Sequence, residues 1–176
     1  TLQRFYESRT GTHAGPGKGA SPGLKDLNWN DRARRENARG MMKTSLTWYG
    51  HATLGIDTSD FKLLIDPFFT GNSATNEDPK TIEVDYILIT HGHSDHVGDA
   101  ADIAQRTGAT IISNAEISKW FAKQGCKTHA QHLGGGYHHP FGYLKMTYAL
   151  HGSALPDGSY GGNPGGFLLT TLDGKK

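Results

Sequence analysis

Tyr86-Ile87-Leu88-Ile89-Thr90-His91-Gly92-His93-Ser94-Asp95-His96 is the stretch on which the fold turns. Its apolar start reads as a buried strand. That strand runs straight into His91–His96, six residues of which four can hold a metal. Imidazole and carboxylate are the ligands that zinc and its divalent neighbours accept where a site must also handle water. In an extended loop alternate residues point the same way, so His91 and His93 can chelate one ion. Asp95 and His96 follow where the loop enters a helix, within reach of a second ion. Histidines also collect on surface loops or sit satisfied in a core, but neither role calls for these residue types at these offsets. The spacing predicts a two-metal hydrolytic site.

Outward from that loop the pattern is one of short strands and turns. Thr44 to Tyr49 and Ala52 to Asp57 carry β-branched and aromatic residues with Gly50 and Gly55 at bends. Phe61 to Ile65 is a third strand, closed by Asp66-Pro67, and Gly71 to Lys80 is a hydrophilic loop. Val84 to Thr90 delivers the metal loop, Val97 to Arg106 is helical with Gly108 as terminator, Thr110 to Ser113 is a strand, and Glu116 to Lys123 is a helix. Past Gly134-Gly135-Gly136 come strands near Tyr143 to Leu150 and Phe167 to Leu172. Strands first and strand–helix alternation afterwards predict an α/β layered sandwich.

The segment Thr90-His91-Gly92-His93-Ser94-Asp95-His96-Val97-Gly98-Asp99 resembles the signature loop of the metallo-β-lactamase superfamily. Leu46-Thr47-Trp48-Tyr49-Gly50-His51-Ala52-Thr53 and Leu64-Ile65-Asp66-Pro67-Phe68 resemble the opening strands of its bacterial uncharacterised metal-dependent hydrolase branch, related to ascorbate-phosphate lactonases. Asn114-Ala115-Glu116, Gly125-Cys126-Lys127-Thr128-His129 and His151-Gly152-Ser153 resemble it too. The likeness runs from about Lys43 to the last residue. It implies an αββα sandwich, of which this chain holds the N-terminal half and a short part of the second.

The resemblance also implies roles. His151, after the strand Lys145 to Leu150, supplies the third ligand beside His91 and His93, while Asp95 and His96 hold a second ion. Asp66 supports the metal loop through hydrogen bonds, although an Asp before Pro is equally a turn former. Read from position alone, His51 at the end of the first strand can approach the site as a catalytic, substrate-orienting or proton-shuttling group, and Asp95 can also orient the nucleophile. The remaining histidines, His129, His132, His138 and His139, are read as surface residues of a Gly-rich stretch, with His129 the one that reaches a pocket. Asn114 reads either as a pocket-edge residue or as a helix cap.

One or two divalent cations, zinc before manganese, iron or nickel, would lower the pKa of a bound water from 15.7 toward ~7. The expected reaction is attack of that hydroxide on an ester, lactone, amide or phosphoester of a small molecule. The net charge of +1 and a slightly acidic body argue against a nucleic-acid partner. A nuclease or phosphodiesterase of the same superfamily is the alternative within chemistry, and a non-catalytic, truncated metal- or partner-binding domain the alternative outside it.

Residues 1–42 hold eight Lys/Arg against four Asp/Glu, and 43–176 ten against thirteen. The first segment reads as a flexible or partly helical basic extension, with a short polar helix over 30–39. The hydrolase domain is 43–176. The single cysteine, Cys126, rules out an internal disulfide and suits a reducing cytosol. No run of about 18 apolar residues exists to span a membrane, and a cytoplasmic location is expected. The superfamily carries a bridging Asp and a final His after the third motif, and no match to either follows Thr171-Leu172-Asp173-Gly174. The domain therefore reads as C-terminally incomplete: either the sequence is a fragment or truncated product, or a second copy in a homo-oligomer or another chain completes the site.

Overall fold

Leu63 and Leu64 are neighbours in β3 (Lys62–Ile65), point to opposite faces of their sheet, and are both buried. A strand buried on both faces belongs to the middle of a layered structure. The computed structural model describes residues 44–58 and 60–176. The expectation of a basic extension over 1–42 lies outside those residues.

Six strands make the first sheet, in the order β1 (Ser45–Trp48), β2 (Leu54–Asp57), β3, β4 (Tyr86–Leu88), β5 (Thr110–Ser113) and β6 (Lys127–Ala130). The first three pair antiparallel and β3 to β6 pair parallel, with Ile65, Leu88 and Ile112 in register. A second sheet is the antiparallel set β7 (Gly136–His139), β8 (Gly142–Tyr148) and β9 (Gly165–Thr171).

One face of the six-stranded sheet presents Leu64, Ile87, Ile89 and Ile111 to α2 (Ala100–Thr107) and α3 (Ala115–Lys123), whose Ile103, Ala104, Ile117 and Phe121 are buried against them. The other face presents Leu63, Leu88 and Ile112 to Phe141 and Leu144 of the second sheet. Burial of each such side chain stabilises the fold by about 1.5–3 kcal/mol. The result is helix on sheet on sheet, three of the four layers of an αββα sandwich. The outer face of the second sheet includes Leu168, which stays 45% exposed.

Two details differ from the sequence reading. The helix expected over 97–106 is split into α1 (Ser94–Val97) and α2. A Cβ at Gly98 would stand 2.9 Å from the Ser94 carbonyl oxygen. The Asp99 carboxylate, instead of capping α2, accepts hydrogen bonds from Phe69 N (2.6 Å), Thr70 N (3.0 Å) and Thr70 Oγ1 (2.6 Å). The second is that β6 and β7 emerge from the stretch read as irregular. His139, read as a surface residue, is buried in β7 and stacks on Phe141 with ring centroids 4.9 Å apart. Gly-Tyr-His-His has no apolar alternation to announce a strand; pairing with β8 makes it one.

The parallel arrangement places the site. Strands β3, β4, β5 and β6 run the same way, so Asp66, Thr90-His91, Asn114 and Gln131-His132 all leave the sheet at its carboxyl edge. Ligand-binding groups of open α/β sheets gather there.

Candidate metal centre

His91 follows the end of β4 and is buried, while His93 is the N-cap residue of α1. Two residues apart in extended backbone, their rings converge, with His91 Nε2 3.2 Å from His93 Nδ1. His151, at the start of the 151–164 loop, completes the group: one ligand atom from each of the three lies within 4.8 Å of the others. Gly92 lets the chain pass between the two histidines. A Cβ there would meet the Ser153 carbonyl oxygen at 3.0 Å and the Leu155 side chain at 3.2 Å.

A second group forms beside the first from Asp95, His96 and His51, again within 4.8 Å. His51 Nε2 stands 3.1 Å from Asp95 Oδ2. The rings of His91 and His96 lie 3.9 Å apart between centroids, so the two groups adjoin. From sequence alone Asp95 and His96 have no further partner and His51 has a pocket role. The fold brings His51 from the β1–β2 turn to the mouth of that pair, through a left-handed backbone conformation at φ 50°.

Asp66 is the support for both. It too is left-handed, at φ 45°, and 2% exposed. A strained non-glycine conformation in a buried turn is held only where its surroundings over-determine it. Here they do: Asp66 Oδ1 accepts from Thr90 N (2.8 Å), and Oδ2 accepts from Thr90 Oγ1 (2.6 Å) and stands 2.8 Å from His96 Nδ1. Buried Thr53 locks the turn from behind, its Oγ1 donating to Asp66 O (2.8 Å) and accepting from Phe68 N (3.1 Å). A carboxylate can only accept, so His96 carries its proton on Nδ1 and leaves Nε2 bare. His91 Nδ1 likewise faces Thr90 Oγ1 at 2.9 Å and leaves Nε2 to the cluster. Asp66, His91 and His96 also form a third close group. Both Asp66 oxygens are already engaged, holding Thr90 and the His96 ring in place.

The electrostatics favour a neutral His91 and an ionised Asp95. Burial pushes His91 down to about 4, and the neighbouring His96, His93 and His151 push the same way. For Asp95 burial acts upward, but its backbone hydrogen bond and the nearby His96, His51 and His93 outweigh it and hold the carboxyl below its ordinary range. Neutral imidazoles and an ionised carboxylate are the donor forms a divalent cation requires. Ligands about 2.0–2.1 Å from a tetrahedral ion stand about 3.3–3.4 Å apart. The separations of 3.2 Å and 3.1 Å between His91 and His93 and between His51 and Asp95 match that spacing.

Of the residues that tie the loops together, Asn114 is foreseen in the sequence as a helix cap, and Ser153 is not singled out. Ser153 Oγ accepts from Gly92 N (3.1 Å), between the first two histidines, and donates to Gly161 O (3.0 Å). Asn114 caps α3 by accepting from Ile117 N (2.9 Å) and donates across to Gly161 O (2.7 Å) and Asn163 O (3.1 Å). Thr90, Thr53, Asp99 and Ser153 are neutral or common loop residues, and only the tertiary contacts reveal their part. Of the other histidines, His132 and His138 are exposed as expected, while His129 packs 4.8 Å from His139 between ring centroids. Cys126 is buried, with its thiol pushed up by that burial.

The helix–sheet–sheet sandwich carries its paired His/Asp groups at the carboxyl edge of its parallel strands. The family model of the Metallo-beta-lactamase superfamily matches residues 46–173, and the chain belongs to that superfamily. It is 48% identical over 125 residues to a UPF0173 metal-dependent hydrolase of Flavobacterium johnsoniae, covering 70% of this chain and 56% of that protein. To the corresponding protein of Christiangramia forsetii it is 44% identical over 126 residues, with the same shares covered. Among solved structures, Igni18, a metallo hydrolase from the archaeon Ignicoccus hospitalis, superposes with a TM-score of 0.62 at 32% identity, over 75% of this chain and 57% of that one. The chain thus spans a little over half the length of the relatives it matches. No helix among the described residues is long and apolar enough to cross a membrane.

Proposed function

We propose that this chain is the metal-holding portion of a hydrolase that cleaves an ester, lactone, amide or phosphoester bond of a small molecule. The observation that carries the reading is the assembly of two three-residue donor groups, His91/His93/His151 and His51/Asp95/His96, side by side at the carboxyl edge of β3 and β4. The donor set suits zinc first, with manganese, iron or nickel acceptable.

Divalent cations held there would lower the pKa of coordinated water toward ~7 and polarise the oxygen of the bond under attack. The chain's own residues do the rest. Asp66 fixes the tautomer and ring plane of His96, and Thr90 does the same for His91. The Ser153 clamp keeps His151 against His91 and His93. Asp95 and His51, both about 43% exposed, stand at the open side of the centre. There Asp95 can accept a hydrogen bond from an incoming nucleophile and fix its orientation, while His51 completes the second donor group. An acidic body, ten Lys/Arg against thirteen Asp/Glu over residues 43–176, favours a small substrate over nucleic acid. A cytosolic setting accords with one buried cysteine. A second chain, or a further segment, would find a partner surface on the outer face of the second sheet around Leu168.

The test is hydrolysis of a lactone, aryl ester and phosphodiester panel by the zinc-loaded chain, the chelated chain and a His93→Ala variant. Turnover by the loaded chain alone is expected. Equal turnover by all three would overturn the reading.

A further inference from the structure

Beyond the metal groups, the carboxyl edge of β5 and β6 opens into a cavity of about 300 Å³ whose polar lining includes Glu116, His132, Tyr160 and Asn163. Strands lie about 4.8 Å apart, so this cavity sits about 10 Å along the edge from the metal-holding loops. The two are walled by one segment. The 151–164 loop starts at His151 in the metal centre and ends at Asn163 in the cavity, and Gly165 N returns to Thr90 O at 2.9 Å, one residue before His91. Ser153 and Asn114 pin the middle of that loop through the carbonyl of Gly161.

Among these lining residues the one carboxylate is Glu116, beside the His132 imidazole, the Tyr160 hydroxyl and the Asn163 amide. The Glu116 carboxylate makes no hydrogen bond or ion pair with any described residue. It rests against Gly162, where φ is 74° and a Cβ would stand 2.6 Å from Glu116 Oε2. Tyr160 Oη donates to Asn163 Oδ1 (3.3 Å) and leaves its oxygen lone pairs to the cavity. Asn114 already caps α3, so the helix terminus is not free to attract an anion.

We propose that this cavity is a substrate subsite that takes a cationic, ammonium-type arm, with Glu116 as its counter-ion, while the scissile group lies at the metal centre. The inference rests on the hydrolase reading above for the meaning of the arm, but its test is a binding one. Carboxylate-headed probes with six carbons are matched: 6-aminohexanoate, hexanoate and adipate, titrated calorimetrically into the zinc-loaded chain. A partly exposed ion pair predicts about fivefold tighter binding of 6-aminohexanoate than of hexanoate, and weaker binding of adipate than of either. In Glu116→Gln, an exposed and nearly isosteric change, 6-aminohexanoate should fall to within about twofold of hexanoate.

Equal affinities in the wild type, no binding of any probe, or a preference that survives Glu116→Gln would each overturn the subsite. If the ammonium preference holds while no panel substrate is turned over, the subsite stands and the hydrolase reading fails. Turnover of the panel without that preference is the reverse case.

Discussion

Replacing Asp66 by Asn isolates what a buried carboxylate does for a metal centre it need not touch. Asn has nearly the same shape and tolerates the left-handed backbone that Asp66 adopts at φ 45°. Its amide oxygen can still accept from Thr90 N, now 2.8 Å from Asp66 Oδ1. The other terminus becomes an NH₂ facing His96 Nδ1, now 2.8 Å from Oδ2. Two donors cannot face each other, so His96 must move its proton to Nε2, the nitrogen that has to be bare to hold an ion. The lost interaction is a hydrogen bond to a charged group, about 1.5–3 kcal/mol. That corresponds to roughly 10–100-fold in metal affinity, the usual effect of removing an orienting partner. Competition against a chromophoric chelator measures it: one zinc should weaken by that factor in Asp66→Asn, the other by much less, with the circular dichroism unchanged. Two zinc ions retained at wild-type affinity would refute the tautomer argument.

Other consequences follow from the same geometry. Ser153→Ala removes the link from Gly92 N to Gly161 O; the ion held by His91, His93 and His151 should weaken about tenfold while the other is unaffected, as read by the same competition. Gly161→Ala puts a Cβ 2.2 Å from the Ser153 carbonyl oxygen, and a chemical-denaturation curve should show a loss of about 1–3 kcal/mol. Burial, reinforced by His129, lowers His139 from 6.5 to about 4. The unfolded chain therefore binds the extra proton first, and stability falls as pH drops through that window while staying flat above it. Between about pH 7.5 and about pH 5 the wild type should lose about 2 kcal/mol more than His139→Gln in urea unfolding. An equal loss in both proteins would remove His139 from the account.

Contiguity explains what the sequence disclosed. His91, His93, Asp95 and His96 are legible because their relation is local, whereas Asp66 and His151 are singled out through the family resemblance. The layered fold was legible from contiguity too, since the buried segments Tyr86–Leu88 and Ile111-Ile112 are contiguous apolar residues. His51 facing Asp95 was not, because that contact joins the β1–β2 turn to α1 and depends on how the strands stack. Nor was the buried setting of His139, which comes from pairing with β8 and not from its own neighbours. Ser153, Thr90 and Thr53 are ordinary residues in sequence, and hydrogen bonds made across the fold give them their roles.

If the two adjoining donor groups each hold one divalent ion, native mass spectrometry of the zinc-reconstituted chain should find two zinc ions per chain, one in His151→Ala and one in His51→Ala. A single ion in the wild type that either substitution removes, or two ions that survive both, would contradict that assignment.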